Sequence, residues 1–153
     1  MGRAAALAAF LFAAVNLYWA VGGTAGLDTL GGTIEERARA GDRAILAANW
    51  AAVVLKVLGG VLALALIQPW GRRVPRWLLL ATAWTGAAVL ILYGTFQTSA
   101  VALVALDVIQ VPEAIEPTAL RWRLLLWEPW FLLWGLLLAA AALHHTRVTA
   151  TDP

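Results

Sequence analysis

Four long apolar stretches restrict the fold of this chain more than any other feature. A membrane-spanning helix needs about 20 mainly apolar residues, because each residue advances the helix by about 1.5 Å. Stretches of that kind lie at about 4–23, 44–67, 77–96 and 124–143, and the apolar residues 99–106 offer a continuation of the third. They predict an all-α fold, an integral membrane four-helix bundle that forms a single membrane domain over residues 1–153.

The composition agrees with this prediction and excludes several kinds of chemistry. The chain is 62% hydrophobic and 13% charged, whereas soluble domains are roughly half apolar and a quarter charged. It has no cysteine, which excludes disulfides, thiolate metal sites and thiol redox chemistry. Its net charge is +2 with scattered basic residues, so we expect a lipid bilayer rather than a nucleic acid as its partner.

The first span has a second interpretation as a signal peptide, since MGR precedes an apolar run with small residues. A mature span is favoured because the remainder is itself a membrane protein. The connections are 24–43, 68–76 and 97–123, and IEERARA within the first predicts a short helix.

The connections give the expected orientation in a bacterial inner (cytoplasmic) membrane. Basic residues flank both ends of the bundle in equal numbers, but the short connection QPWGRRVPR is basic and has no acidic residue. Because basic connections tend to stay in the cytoplasm, we expect the N and C termini on the cytoplasmic side.

The polar residues of the four spans are predicted to meet at one end of the bundle. Consecutive spans run in opposite directions, so the end of one lies beside the start of the next. The residues concerned are Asn16, Tyr18 and Trp19 late in the first span, Asn49 and Lys56 in the second, Tyr93 and Gln97 at the end of the third, and Glu128 early in the fourth.

Lys56 and Glu128 are the charged residues that most need an explanation. An unpaired charge in hydrocarbon costs a few kcal/mol, so we expect Glu128 to be the partner of Lys56. Arg121 and Arg123 compete for the same carboxylate. Pro129 leaves the carbonyl of residue 125 without its helical donor and predicts either a kink or the first turn of the span.

The tryptophans divide into two predicted groups. Trp19 and Trp130 lie deep enough to wall a cavity or to pack in the core, as do Trp84 and Trp134. An interfacial anchoring role is predicted for the others, which are Trp50, Trp70, Trp77, Trp122 and Trp127. His144 and His145 lack further ligands nearby, so we predict no metal and no cofactor.

Four segments resemble a family of small four-span membrane proteins known as DUF3995. They are NLYWAVGG at 16–23, NWAAVVLKVLGG at 49–60, LYG at 92–94 and LRWRLLLWEPWFLLWGLL at 120–137. The resemblance implies the four-span fold and an actinobacterial origin but no established activity. It also implies a histidine where this chain has Asn16, which argues against a mechanism that needs an imidazole there.

Three functions remain open on the sequence alone. The first is binding of a lipophilic small molecule by Asn16, Tyr18, Trp19, Asn49, Tyr93 and Trp130. The second is a membrane enzyme, an isomerase, cyclase or hydrolase acting on an isoprenoid-like or epoxide substrate, with Glu128 as general acid and Lys56 as its partner. The third is a non-catalytic accessory subunit, with a membrane partner or a second copy of the chain.

Overall fold

The structure is a computed structural model, and it describes residues 1–111 and 115–148. Its helices, in chain order, are α1 (Gly2–Ala20), α2 (Gly32–Arg39), α3 (Arg43–Ala65), α4 (Arg76–Ala105), α5 (Pro117–Trp122) and α6 (Glu128–Val148). Short 3-10 turns lie at Leu27–Thr29 and Pro69–Arg73, and a π-helical turn at Arg123–Trp127 joins α5 to α6. The all-α prediction is confirmed.

Four of these helical segments are long and apolar enough to cross a membrane. They are α1, α3, α4 and the continuous run Pro117–Arg147. The third is longer than the predicted span, because residues 97–105 continue α4 instead of forming a loop. Residues 112–114 of the predicted loop 97–123, and residues 149–153, lie outside the described residues.

The four long helices pack in the order α3, α1, α6, α4. Helix α1 packs against both α3 and α6, and α6 packs extensively against α4, whereas α3 and α4 touch each other much less. The core lies toward the end that carries the N terminus and consists mainly of alanine around Leu138 and Trp134. Small side chains let helices approach closely in a membrane, where hydrophobic burial does not drive helix association.

Two glycines bring α4 and α6 together. A Cβ atom on Gly94 would lie 2.4 Å from the backbone nitrogen of Leu132, and one on Gly135 would lie 2.9 Å from that of Ile91. Both neighbours are backbone atoms and cannot move without shifting a helix. Gly59 and Gly60 also allow close packing, against the rings of Trp134 and Phe10 respectively.

The first connection is an ordered cap over one end of the bundle. The predicted short helix is present as α2, and Asp42 then begins α3 by accepting hydrogen bonds from the backbone N–H groups of Ala44 at 2.8 Å and Ile45 at 3.3 Å. A side-chain acceptor at this position satisfies N–H groups that have no partner within the helix.

Pro129 lies in the first turn of α6, directly after the π-helical turn. Proline has no N–H group for the carbonyl four residues earlier, and the wider spacing of Arg123–Trp127 accommodates this loss without interrupting the helical run. Single π turns of this kind occur frequently at functional sites. This one places Glu128 at the start of α6, facing α1 and α3.

Candidate functional site

A cavity of about 650 Å³ lies at the end of the bundle where α1 ends and α3 and α6 begin. Its walls come from α1, α3 and α6, with Tyr93 as the contribution of α4. Residues 22–42 of the first connection, named here the lid, line its outer end and leave it partly open. The lining includes Phe12, Asn16, Trp19, Leu27, Leu30, Ile34, Arg39, Asp42, Ile45, Asn49, Ala52, Lys56, Tyr93, Trp127, Glu128 and Phe131.

Three hydrogen bonds fasten the lid to the bundle. The indole N–H of Trp19 donates to the carbonyl of Ala25 at 2.9 Å, and the Ala25 N–H donates to the hydroxyl of Tyr18 at 3.2 Å. The indole N–H of Trp127 donates to Thr29 Oγ1 at 3.0 Å. Tyr18 therefore braces the lid from outside, and it is not among the residues that line the cavity.

Asn16, Asn49 and Lys56 form a polar cluster between α1 and α3. The Asn16 amide donates to Asn49 Oδ1 at 2.7 Å, and the Asn49 amide donates to the Asn16 carbonyl at 2.9 Å. Lys56 Nζ donates to Asn16 Oδ1. Seven residues separate Asn49 from Lys56, which is two helical turns, so both face α1. The cluster fixes the direction of the ammonium group.

Lys56 is buried beneath aromatic rings rather than beside a carboxylate. It is 7% exposed, and its ammonium lies 3.9 Å from the centre of the Phe12 ring and 5.7 Å from that of Phe131. A cation over a ring face is attracted by the negative charge of that face, most strongly where water is excluded. These contacts compensate only part of the loss of hydration on burial.

Glu128 forms an ion pair with Arg123, and no ion pair among the described residues joins it to Lys56, the partner expected from the sequence. Arg123 Nε and Nη2 both lie 3.1 Å from Glu128 Oε1. Five residues separate the two, and the π-helical turn between them brings both side chains onto one face. The sequence allowed Arg123 as an alternative partner for Glu128, but residues five apart do not share a face of a regular α-helix. Lys56 and Glu128 nevertheless line the same cavity.

Phe12 stands at the centre of an aromatic cluster that the sequence did not predict. Its ring lies 5.8 Å from Trp127 in a stacked arrangement, 4.9 Å from Phe131 edge-on and 6.1 Å from Trp130. Tyr93 meets Phe131 edge-on at 4.9 Å. Helical spacing in the sequence could have indicated this cluster, since Phe12 precedes Asn16 by four residues and Phe131 follows Glu128 by three, which places each pair on one face of its helix.

The structure brings together most of the predicted site residues and separates two of them. Those that line the cavity are Asn16, Trp19, Asn49, Lys56, Tyr93 and Glu128. Tyr18 lies outside it, as does Trp130, whose indole N–H donates to the carbonyl of Ala8 at 3.1 Å. Trp127, for which the sequence predicted an interfacial anchoring role, also lines the cavity and stacks on Phe12.

Arg39 and Asp42 are charged residues of the cavity lining that lie outside the membrane-spanning helices. Asp42 accepts a hydrogen bond from Arg37 Nε at 2.8 Å as well as those from the start of α3. The bond from Arg37 is the largest cause that holds the pKa of the Asp42 carboxyl below its usual value, followed by the backbone N–H groups of Ala44 and Ile45.

The described residues contain no group of three or more His, Cys, Asp or Glu side chains that would hold a metal ion. The cavity has polar and charged side chains at its inner end, aromatic side chains on its walls and the lid over its outer end. Such a space can hold a molecule that is largely apolar and carries one polar or charged group.

Comparison with known proteins identifies the family of the chain. No curated protein and no solved structure matches it. A family model described as "Protein of unknown function (DUF3995)" matches residues 9–138, which include most of α1, all of α3 and α4, and the residues that line the cavity. The chain therefore belongs to the DUF3995 family.

Proposed function

We propose that this protein binds a lipophilic small molecule in the cavity beneath the lid. The volume of about 650 Å³ lies within the range of about 300–1,000 Å³ that is typical of small-molecule sites. Aromatic walls with a few fixed polar groups are also typical of such sites, and the space between helices of a bundle is a common location for them.

One observation carries this proposal. Two buried charged residues, Lys56 and Glu128, reach the same cavity from different helices, although only 7% and 6% of each is exposed. Ionisable residues within membrane-spanning segments are expensive to bury and usually mark a functional site. A purely structural ion pair would have joined these two residues to each other, whereas here each has a separate set of contacts.

The same contacts favour binding over acid catalysis. A general acid must hold a proton that it can give to the substrate. The contacts between Arg123 and Glu128 Oε1 occupy the carboxyl group that would have to give up the proton. The enzyme hypothesis therefore has less support than binding.

The experiment is native mass spectrometry of the detergent-purified protein, followed by organic extraction of whatever is bound. We expect a specific lipophilic molecule with the wild type and its loss in Trp19→Ala, which removes a cavity wall and a lid contact. Trp50→Ala is the matched control, because Trp50 is 43% exposed on α3 and does not line the cavity. Bulk phospholipid alone, in equal amounts with all three proteins, would contradict the proposal.

We also propose that the protein lies in the bacterial inner membrane, with the cavity on the extracytoplasmic side and both termini in the cytoplasm. The connection around Pro69–Arg73 has basic residues without acidic ones, which supports this orientation. Because the chain has no cysteine, single cysteines report cleanly. A membrane-impermeant maleimide added to whole cells should label Ala40→Cys in the lid and spare Gln68→Cys, and the reverse result would invert the orientation.

A further inference from the structure

We infer that the cavity selects a single-chain lipophilic carboxylate, with Lys56 as the residue that binds its head group. This inference rests on the proposed function and adds the chemical class of the ligand. It follows from the charges around the cavity, from the free donors of Lys56 and from the apolar surfaces that continue from it.

The charges that line the cavity leave one positive charge without a carboxylate. Four charged side chains line it, and three of them have an ion partner of opposite sign within about 3 Å. These pairs are Glu128 with Arg123 at 3.1 Å, Arg39 with Glu35 at 2.8 Å and Asp42 with Arg37 at 2.8 Å. The fourth is Lys56, and among the described residues its contacts are Asn16 and the rings of Phe12 and Phe131.

Lys56 retains donors for a ligand. An ammonium group has three N–H donors, and the described hydrogen bonds use one of them, toward Asn16 Oδ1. Asn16 is itself held by Asn49 at 2.7 Å, so the ammonium is fixed before a ligand arrives. A carboxylate oxygen placed in the cavity would accept from it and would supply the missing negative charge.

The net charge of the lining favours a single negative charge on the ligand. Lys56 contributes one positive charge, and the carboxylate of Glu128 lies on the wall of the same cavity. A phosphate monoester carries about two negative charges near neutral pH, and the second would face Glu128 without a cation of its own. A carboxylate head therefore fits this lining better.

The remaining surface suits a hydrocarbon chain. Lys56 lies 14 residues beyond Asp42, which corresponds to about 21 Å along α3, so the cavity is deep between the lid and the ammonium. Leu27, Leu30 and Ile34 of the lid line its upper part. A single chain running from Lys56 toward the lid would lie mainly against apolar side chains.

The test is a scintillation proximity assay with tritiated palmitate on purified wild-type protein. We expect saturable binding that unlabelled palmitate displaces at least about tenfold better than 1-hexadecanol, which has the same chain without the charge. Lys56→Gln should weaken palmitate binding at least about tenfold, and Lys56→Arg should retain it. Arg43→Gln is the matched control, since it removes an exposed cation on the same helix that does not line the cavity, and it should change affinity less than about threefold.

Several results would overturn the inference. Equal displacement by hexadecanol would show that charge is not recognised, and displacement by acetate at equal concentration would show a site for small anions. Unchanged binding in a folded Lys56→Gln protein would exclude Lys56 as the head-group residue, and size-exclusion chromatography and thermal melting establish folding. A neutral lipid found by mass spectrometry would overturn this inference alone, whereas finding no specific molecule would overturn the proposed function as well.

Discussion

Replacing Arg123 by glutamine should destabilise the protein because it leaves the Glu128 carboxylate buried without its partner. The side chain of Glu128 is 7% exposed and that of Arg123 is 28% exposed. Removing one partner of a fully buried pair costs about 3–5 kcal/mol, whereas a surface pair is worth about 0–1 kcal/mol. Since this pair lies between those limits, we expect the free energy of unfolding to fall by about 2 kcal/mol.

The assay is equilibrium unfolding in mixed micelles of dodecyl maltoside and SDS, followed by tryptophan fluorescence. A double-mutant cycle supplies the control. Arg123→Gln combined with Glu128→Gln should recover most of the loss, with a coupling of about 1–2 kcal/mol. The parallel cycle of Lys56→Gln with Glu128→Gln should be additive within about 0.5 kcal/mol. Strong coupling in the second cycle and none in the first would refute the pairing with Arg123.

Two further predictions concern the packing of α4 and the start of α3. Gly94→Ala should destabilise by about 1–3 kcal/mol, because its Cβ would lie 2.4 Å from the Leu132 backbone. Gly86→Ala on the same helix, where the nearest atom would be 3.6 Å away, should not destabilise in the same unfolding assay. Asp42 has a lowered pKa through Arg37, so its stabilisation is present above about pH 3.9 and is lost as pH falls through the lower folded value. Thermal melts between pH 6 and 2 should therefore show the gap between wild type and Asp42→Asn closing toward acid, and a gap that is constant would contradict this.

The sequence was sufficient to predict four long apolar helices and the end at which most of the polar residues meet. Both follow from hydropathy and from the alternating direction of consecutive spans, which do not depend on side-chain detail. Asn16, Asn49 and Lys56 reach the same cavity for this reason. The same reasoning could not choose an ion partner for Glu128, since depth in the membrane is compatible with either Lys56 or Arg123.

The local geometry around Glu128 determines its ion partner, which hydropathy could not predict. Helical spacing of 3.6 residues does not bring residues five apart onto one face, but the π-helical turn Arg123–Trp127 does. The same turn carries Trp127 inward onto Phe12, although its distance from the predicted span end suggested an interfacial anchor. Pro129 indicated irregular hydrogen bonding at this position, and it was compatible with either a kink or the first turn of the span.

The sequence predicted the lid as a polar connection with one short helix, and it did not predict the contacts that fasten the lid. The position of the lid over the cavity depends on side chains that lie far apart in sequence, such as Trp127 and Thr29. No periodic pattern encodes contacts of this kind, so the role of Tyr18 as a brace, rather than as a lining residue, was not accessible from the sequence.

The central claim is that the cavity itself holds the bound molecule, and filling the cavity tests it most directly. Ala52 lines the cavity, whereas its neighbour Ala51 is exposed on the surface of α3 and does not. Native mass spectrometry should show the lipophilic molecule on the wild type and on Ala51→Phe, and its loss from Ala52→Phe with the fold retained. Equal occupancy of both variants would place the molecule elsewhere on the protein and would contradict the account.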